Sequence, residues 1–422
     1  MTIVGAGYGL LFGYGVGVIA SALAPLSSEF SLTVTQRSVV VVAALVAAFL
    51  CAPNAGMIAD RFGRRSSLIA IGVVYTSGSL ISAMATGFGL LVTGRFLIGL
   101  CLGASSFVAP MYLAEVSPPG RRGALVTVNQ LMITFGIFLG AVLGFLLTPA
   151  GHWRVLLGLG ALPAIALTLA MVTLPESPRW LFAQGKDEEA SRTFRELGLA
   201  EEDRQEPAQV NLQWRKVLGS GHRRLIILGV VLAVAVHLTG LDMAVYFAPT
   251  ILGESGFGQT AATLGGTWVA GANLLMTVVT ILVIDRLGRR PLFIGGVALM
   301  AVSAALLGVL YRFGLSASGW VVVMLAVFIA AAAVGPAGVF WTYVAELYPQ
   351  RLRSVALSAT AAGHWAADAL VAASFLPLVA ATSLALTFWL YAAISVAVVA
   401  FCYLAMPETR GEPLGQTRAK RG

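Results

Sequence analysis

Charged side chains are scarce in this chain of 422 residues, in which Asp, Glu, Lys and Arg make up 11% and hydrophobic residues 58%. A soluble domain carries about 25% charged residues, so the composition is typical of an integral membrane protein. Cysteine is rare as well: Cys51, Cys101 and Cys402 lie in apolar segments without metal-ligand spacing. We expect these three to be small packing residues.

The motifs of hydrolases and nucleotide-driven pumps are also missing. The sequence has no HExxH, GxSxG or Walker motif and no cluster of Cys and His. We therefore expect no enzymatic activity, no cofactor and no bound metal, and no direct use of ATP.

Apolar runs of about 20 residues, the length of a membrane-spanning helix, dominate the chain. They predict an all-α membrane protein with twelve transmembrane helices. The expected spans are 3–25, 39–59, 68–86, 89–111, 123–147, 153–174, 225–249, 262–284, 292–312, 319–344, 355–378 and 384–406.

The net charge of +8 comes from Lys and Arg that collect in alternate loops and in the tail. This asymmetry is typical of cytoplasmic loops. It predicts that both termini are cytoplasmic in a multi-pass protein of the cell membrane, and it argues against a nucleic-acid partner.

Three short sequences occur twice. DRFGRR (60–65) recurs as DRLGRR (285–290), EVSPPGRRG (115–123) as ELYPQRLRS (346–354), and PESPRW (175–180) as PETRG (407–411). The repeat predicts two six-helix halves, 1–181 and 223–422, joined by a polar, partly helical cytoplasmic linker, 182–222. Halves related by an axis along the membrane normal are one way in which transporters are built, with a site at the midplane.

The repeated turns place carboxylates beside guanidinium groups at the same membrane face. Ion pairs between them would close the cytoplasmic side in one state and separate in another; simple positive-inside anchoring is the alternative. The predicted gate residues are Asp60, Arg64, Arg65, Glu115, Arg121, Arg122, Asp285, Arg289, Arg290, Glu346 and Arg353.

The ordered motifs GRFLIGLCLGASSFVAPMYLAEVSPPGRRGAL (94–125), PESPRWL (175–181), GPAGVFWTYVAELYPQRLR (335–353) and PETRG resemble those of the major facilitator superfamily, and specifically its sugar porters. The resemblance covers essentially the whole chain. It implies a monomeric transporter whose solute binds amides and aromatic rings. The matching positions are Gln130, Asn273, Trp341 and, on an aromatic site of helix 7, Tyr246.

Several positions depart from the family pattern. Val236, His237 and Asp242 stand where sugar porters have two glutamines and an asparagine, and His364 and Asp368 flank Trp365 where the family has asparagines. Gly15 replaces the helix 1 aspartate of proton-coupled members, although Arg95 remains. By itself Gly15 indicates uniport.

Two carboxylates and two imidazoles at membrane depth indicate a partner or a function for each, because burying an ionised carboxylate there costs at least about 2.5 kcal/mol. His364 and Asp368 are i,i+4 neighbours and could satisfy each other. Alternatively, Asp242, Asp368, His237 and His364 bind protons or a cationic group. On an ideal helix His237 and Asp242 do not share a face, but Gly240 and Pro249 would allow unwinding that turns both toward one cavity.

The sequence thus predicts a transporter of a sugar, polyol or similar small hydrophilic solute that works by alternating access, either as a facilitator or coupled to protons through Asp242 or Asp368. Its expected solute site comprises Gln130, His237, Asp242, Tyr246, Asn273, Trp341, His364 and Asp368. A transporter of an organic cation, amine or drug on the same fold is the alternative. A non-transporting receptor would need a cytoplasmic output module, for which we expect no room after residue 406.

Overall fold

The computed structural model describes residues 2–118, 122–199, 223–349 and 353–410, and the regular elements in these ranges are α-helices. Nine helices precede the linker: α1 Thr2–Glu29, α2 Val34–Phe62, α3 Arg64–Ala83, α4 Phe88–Glu115, α5 Arg122–Leu147, α6 Trp153–Gly158, α7 Ala161–Val172, α8 Pro178–Ala183 and α9 Asp187–Glu196. Nine follow it: α10 Arg223–Leu238, α11 Met243–Tyr246, α12 Ala248–Glu254, α13 Gln259–Leu287, α14 Arg289–Arg312, α15 Gly319–Val334, α16 Pro336–Leu347, α17 Arg353–Ala381 and α18 Leu384–Ala405.

Eleven segments of the described chain are long and apolar enough to cross a membrane, and they match eleven of the twelve predicted spans. Two of them contain an interruption, between α6 and α7 and between α15 and α16. The twelfth predicted span, 225–249, is divided into three shorter helices, α10, α11 and α12. The expected all-helical membrane fold is confirmed, and the span at 225–249 is interrupted around Gly240 and before Pro249.

The residues group into two compact units. The first contains 1–18, 43–140 and 152–210, and the second contains 19–42, 141–151 and 211–422. These units place the ends of α1 and α5 differently from the halves that the repeat predicts, and the division at 181 and 223 stays a prediction. Of the predicted linker, residues 182–199 form the rest of α8 and α9, and 200–222 lie outside the described residues.

Small residues bring α1 and α5 close together within the first unit. A Cβ atom at Gly13 would overlap the backbone carbonyl of Ile133, and one at Gly17 would overlap that of Ile137. Such contacts between glycine and backbone are typical of helix packing in membranes. They hold α5, the helix that carries Gln130, against α1.

In the second unit α17 packs along α10, which is the contact that positions the candidate site. α11 also contacts α17 and lies between α10 and α12 in the chain. Polar side chains of α10, α11 and α17 can therefore meet although they are more than a hundred residues apart in sequence.

The two DRxGRR turns end one helix and begin the next at a glycine. Gly63 has φ +94° and Gly288 has φ +89°, a region that glycine enters without the steric cost that a Cβ would bring. A side chain at Gly63 would also collide with the Glu176 carboxylate, and one at Gly288 with that of Glu408. The absence of a side chain thus lets each carboxylate reach the backbone of the turn.

Candidate functional site

The interruption between α10 and α11 builds the polar centre of the second unit. α10 ends at Leu238, Gly240 adopts φ +78°, and α11 begins at Met243. The local unwinding expected from Gly240 and Pro249 is present. It returns Asp242 toward the preceding helix, so that its Oδ2 contacts Nδ1 of His237 directly.

His237 links this unwound segment to α17. Its ring is buried, with 1% of the residue exposed, and its Nε2 lies 2.8 Å from Nδ1 of His364. The two rings meet edge to face at a centroid separation of 4.2 Å. Because a neutral imidazole has one donor and one acceptor nitrogen, His237 bridges Asp242 and His364 and is held in one orientation by both.

Asp368 lies one helical turn beyond His364 on α17 and is 2% exposed. Its Oδ2 accepts a hydrogen bond of 3.0 Å from the Tyr246 hydroxyl, and its Oδ1 is buried without a hydrogen-bond partner among the described residues. The His364–Asp368 pair considered from the sequence is replaced by two other contacts: His364 bonds to His237, and Asp368 accepts from Tyr246.

The three side chains of His237, Asp242 and Asp368 converge on one point. One nitrogen or oxygen atom from each lies within 4.8 Å of the others. Two carboxylates beside one imidazole can share a proton or bind a cationic group. The cluster can therefore hold positive charge between α10, the unwound segment and α17.

Aromatic rings form the more accessible side of the cluster. Trp341 on α16 is 38% exposed, and its ring centroid lies 5.1 Å from that of His364. The buried ring of Phe340 lies 6.2 Å from that of His364 and 5.1 Å from that of Trp341. Asp242 and His364 are part-exposed here, so a solute that stacks on Trp341 reaches these two polar groups.

The other predicted solute contacts lie apart from the cluster in the chain. Asn273 is buried on α13 of the second unit, and Gln130 is half-buried on α5 of the first unit. Where proton-coupled sugar porters pair an aspartate with arginine, Arg95 Nη1 donates to the backbone carbonyl of Gly15 at 2.8 Å. The guanidinium that the family pairs with an acid is thus bonded to the peptide group.

The predicted gate of the first unit centres on Arg64. Its Nε and Nη2 donate to the two carboxylate oxygens of Glu115 at 2.9 and 3.1 Å. The same Nη2 lies 2.9 Å from Oδ1 of Asp60. Arg65 differs from the expectation, since its guanidinium donates to the carbonyl groups of Met171 and Val172 and not to a carboxylate. Arg121 and the side chain of Arg122 lie outside the described residues.

The second unit repeats this arrangement. Arg289 lies 2.9 Å from Glu346 and 3.0 Å from Asp285. The counterpart of Arg65 is Arg290, whose guanidinium donates to the carbonyl of Tyr403 at 2.6 Å. The side chain of Arg353 lies outside the described residues. The matched pairs are the contacts that the gating hypothesis requires.

Two carboxylates that sequence reasoning missed complete these sites. Glu176 accepts hydrogen bonds from the backbone N–H groups of Arg64, Arg65 and Ser177. Glu408 accepts hydrogen bonds from the backbone N–H groups of Arg289, Arg290, Thr409 and Arg410. Carboxylates at a helix N-terminus are favoured by unpaired N–H groups and by the helix dipole. The signal was in the sequence, in the PES and PET that recur with the arginine turns.

We expect Gly240→Ala to destabilise the protein by about 2 kcal/mol, because an alanine at positive φ is strained and its Cβ would lie 2.7 Å from the Tyr391 ring. Equilibrium unfolding in detergent micelles measures this. The matched control is Gly253→Ala, on a helix where a Cβ meets nothing within 4 Å; there we expect equal or greater stability. If Gly240→Ala is as stable as wild type, the unwound segment is not constrained as described.

A family model described as "Sugar (and other) transporter" matches residues 1–419. The galactose-proton symporter of Escherichia coli (strain K12) is 34% identical over 416 residues, which cover 95% of this chain and 89% of that protein. The glucose transporter GlcP of Staphylococcus epidermidis is 32% identical over 422 residues, covering 98% and 94% of the two chains.

Solved structures give the same result. The xylose transporter XylE from E. coli, in a partially occluded inward open conformation, superposes with a TM-score of 0.84 at 27% identity, covering 98% of this chain and 99% of that one. The expected major facilitator fold is confirmed. These relatives and this neighbour favour a sugar over the organic-cation alternative.

Proposed function

Because the chain belongs to the sugar (and other) transporter family, we propose that this multi-pass membrane transporter carries a sugar or polyol across the cell membrane by alternating access. The observation that carries the proposal is the match over almost the whole chain to a glucose transporter and to a galactose-proton symporter. The proposal includes cytoplasmic termini, a monomer as the working unit, and no catalytic step.

The solute is proposed to bind through hydroxyl groups and one apolar face. A sugar hydroxyl needs a donor or acceptor at a fixed place, and its C–H face stacks on an aromatic ring. Gln130 and Asn273 supply amides, and the exposed ring of Trp341 supplies the stacking surface. Tyr246 contributes through Asp368, to which its hydroxyl donates.

Proton coupling is proposed to use the second unit. Gly15 has no carboxylate, and Arg95 donates to its carbonyl group, so no proton route is proposed through this position of α1. The acidic groups near the proposed solute contacts are Asp242 and Asp368, and His237 and His364 can pass a proton between them and the more exposed side of the cluster.

The ion pairs of Arg64 and Arg289 are proposed to act as a cytoplasmic gate. They occur at matched positions in the two units, and each joins the start of one helix to the end of another. Two such clamps that break together would allow that side to open while the opposite side closes.

Thermal unfolding of the purified protein in the presence of sugars, polyols, amines and organic acids, at two pH values, tests the proposed function. A bound solute stabilises the folded state by an amount that rises with the logarithm of its concentration relative to Kd. We expect a sugar or polyol to raise the unfolding temperature, and more so at one pH than at the other. Stabilisation by amines alone would overturn the sugar assignment.

A further inference from the structure

The cluster of His237, Asp242, His364 and Asp368 contains one negative charge more than it can neutralise internally. His237 and His364 are 2.8 Å apart through ring nitrogens, and two imidazolium ions in such contact would repel each other strongly. At most one of the rings is therefore positive. Against two carboxylates this leaves one uncompensated charge in a buried place, which is unfavourable unless a further cation binds.

The two carboxylates differ in how far neighbouring groups compensate their negative charge. Asp242 contacts the His237 ring and is part-exposed. Asp368 is 2% exposed, one of its oxygens meets the neutral hydroxyl of Tyr246, and the other meets no donor among the described residues. The uncompensated charge thus falls on Asp368.

The cluster also joins a broken segment to an unbroken helix. Asp242 and Tyr246 belong to residues 239–247, which begin at the turn around Gly240, whereas His364 and Asp368 share the continuous helix α17. A change of backbone angles at the turn would move Asp242 and Tyr246 relative to Asp368. The separation of the two carboxylates is therefore adjustable, and like charges resist bringing them together.

We infer that Asp368 carries the transported proton, one per cluster, and that its protonation lets residues 239–247 dock against α17. The inference rests on the proposed function and names the carrier within it. An O–H bond forms on Asp368 with a proton taken from water on one side of the membrane. When that bond breaks, the proton passes to water on the other side, and the restored charge repels Asp242 and loosens the docked segment.

The charged and titratable groups around Asp368 come from three elements of the described chain. Asp242 and Tyr246 face it from the unwound segment, His237 from α10, and His364 precedes it on α17 next to His237. Asp242 opposes a charged Asp368, and a protonated His237 favours one. Because His237 is already engaged by Asp242, the repulsion between Asp242 and Asp368 determines that Asp368 is protonated in the docked cluster.

Infrared spectroscopy of the purified protein tests which carboxyl holds the proton. A protonated carboxylic acid has a carbonyl band that is separate from the carboxylate bands. Near neutral pH we expect this band in wild type and in the control Glu188→Gln, which changes an exposed residue of α9. Asp368→Asn should remove it. In Asp242→Asn the band should disappear at a lower pH than in wild type, because Asp368 ionises more readily once the like charge is gone. A band that survives in Asp368→Asn, or that persists in Asp242→Asn to the same or a higher pH than in wild type, would overturn the assignment.

Solute counterflow separates a failure of this inference from a failure of the proposed function. In Asp368→Asn we expect measurable counterflow of a sugar that stabilises wild type, with its pH dependence lost. Sugar that neither stabilises nor exchanges in wild type contradicts the proposed function itself. Counterflow in Asp368→Asn that keeps the wild-type pH dependence contradicts only the assignment of Asp368 as the proton carrier.

Cobalt binding provides an independent check, since the same three side chains could balance their charge with a metal ion. Purified wild type is titrated with Co²⁺ and its visible absorption is recorded. We expect no stoichiometric binding that depends on Asp368. One tightly bound Co²⁺ per chain that is lost in Asp368→Asn would show that a metal, and not a proton, compensates the cluster.

Discussion

Asp242→Asn is expected to abolish accumulation of the solute against its gradient and to leave exchange of solute measurable. The asparagine keeps the size of the side chain and a hydrogen bond to His237, but it removes the charge that repels Asp368. Asp368 then ionises more readily, and a carboxyl that does not hold its proton through the transport cycle cannot drive uphill transport. Uptake and counterflow in proteoliposomes measure the two quantities separately.

The control is Glu188→Gln, which removes a carboxylate at an exposed position of α9, outside the cluster and outside the predicted gate. Its accumulation should stay close to that of wild type. If Asp242→Asn still accumulates solute against a gradient, the repulsion between the two carboxylates is not part of the coupling. Such a result would mean that the coupling proton is held outside this pair of carboxylates.

Arg64→Ala is expected to lower the free energy of unfolding by about 3 kcal/mol and to slow transport. The Arg64 side chain is 6% exposed and that of its partner Glu115 is 12% exposed, and removing one member of a buried pair leaves the other charge uncompensated, at a cost of about 3–5 kcal/mol. The serine that follows Glu176 also donates to Glu115, which limits the loss to the lower end. Equilibrium unfolding in micelles and initial rates of uptake measure both effects.

Asp60→Asn is the matched control for the same arginine. Its side chain is 51% exposed and lies at i,i+4 from Arg64, and pairs of this kind contribute about 0.3–0.5 kcal/mol. The contrast between the two variants separates the buried clamp from the surface pair. Equal losses of unfolding free energy in the two variants would show that the Arg64–Glu115 contact stabilises the protein no more than the exposed pair does.

Much of this fold follows from local sequence patterns. Apolar runs predict the spans because every backbone polar group in a membrane must be bonded within its own helix. The pairing of Arg64 with Asp60 follows from their places on the two sides of one short turn, and the break at Gly240 follows from a residue that tolerates positive φ. Each of these signals depends on residues a few positions apart, which is the range that a single sequence shows clearly.

The contacts that could not be predicted join distant parts of the chain. His237 and His364 are 127 positions apart, and no periodicity tells which faces of α10 and α17 meet. Likewise, helical spacing suggested that Asp368 would pair with His364, whereas packing places Tyr246 nearer to its Oδ2. Glu176 was missed for the same reason, since its partners are backbone N–H groups of a turn 111 and 112 positions away.

The most direct measurement of proton-coupled transport through the second unit is the pH outside weakly buffered proteoliposomes when a transported sugar is added. With wild-type protein we predict that the medium becomes more alkaline as sugar enters, in a ratio of one proton to one solute. Asp368→Asn is predicted to exchange sugar with no change of pH. Sugar entry through the wild type without any change of pH, or alkalinisation that persists in Asp368→Asn, would contradict the account.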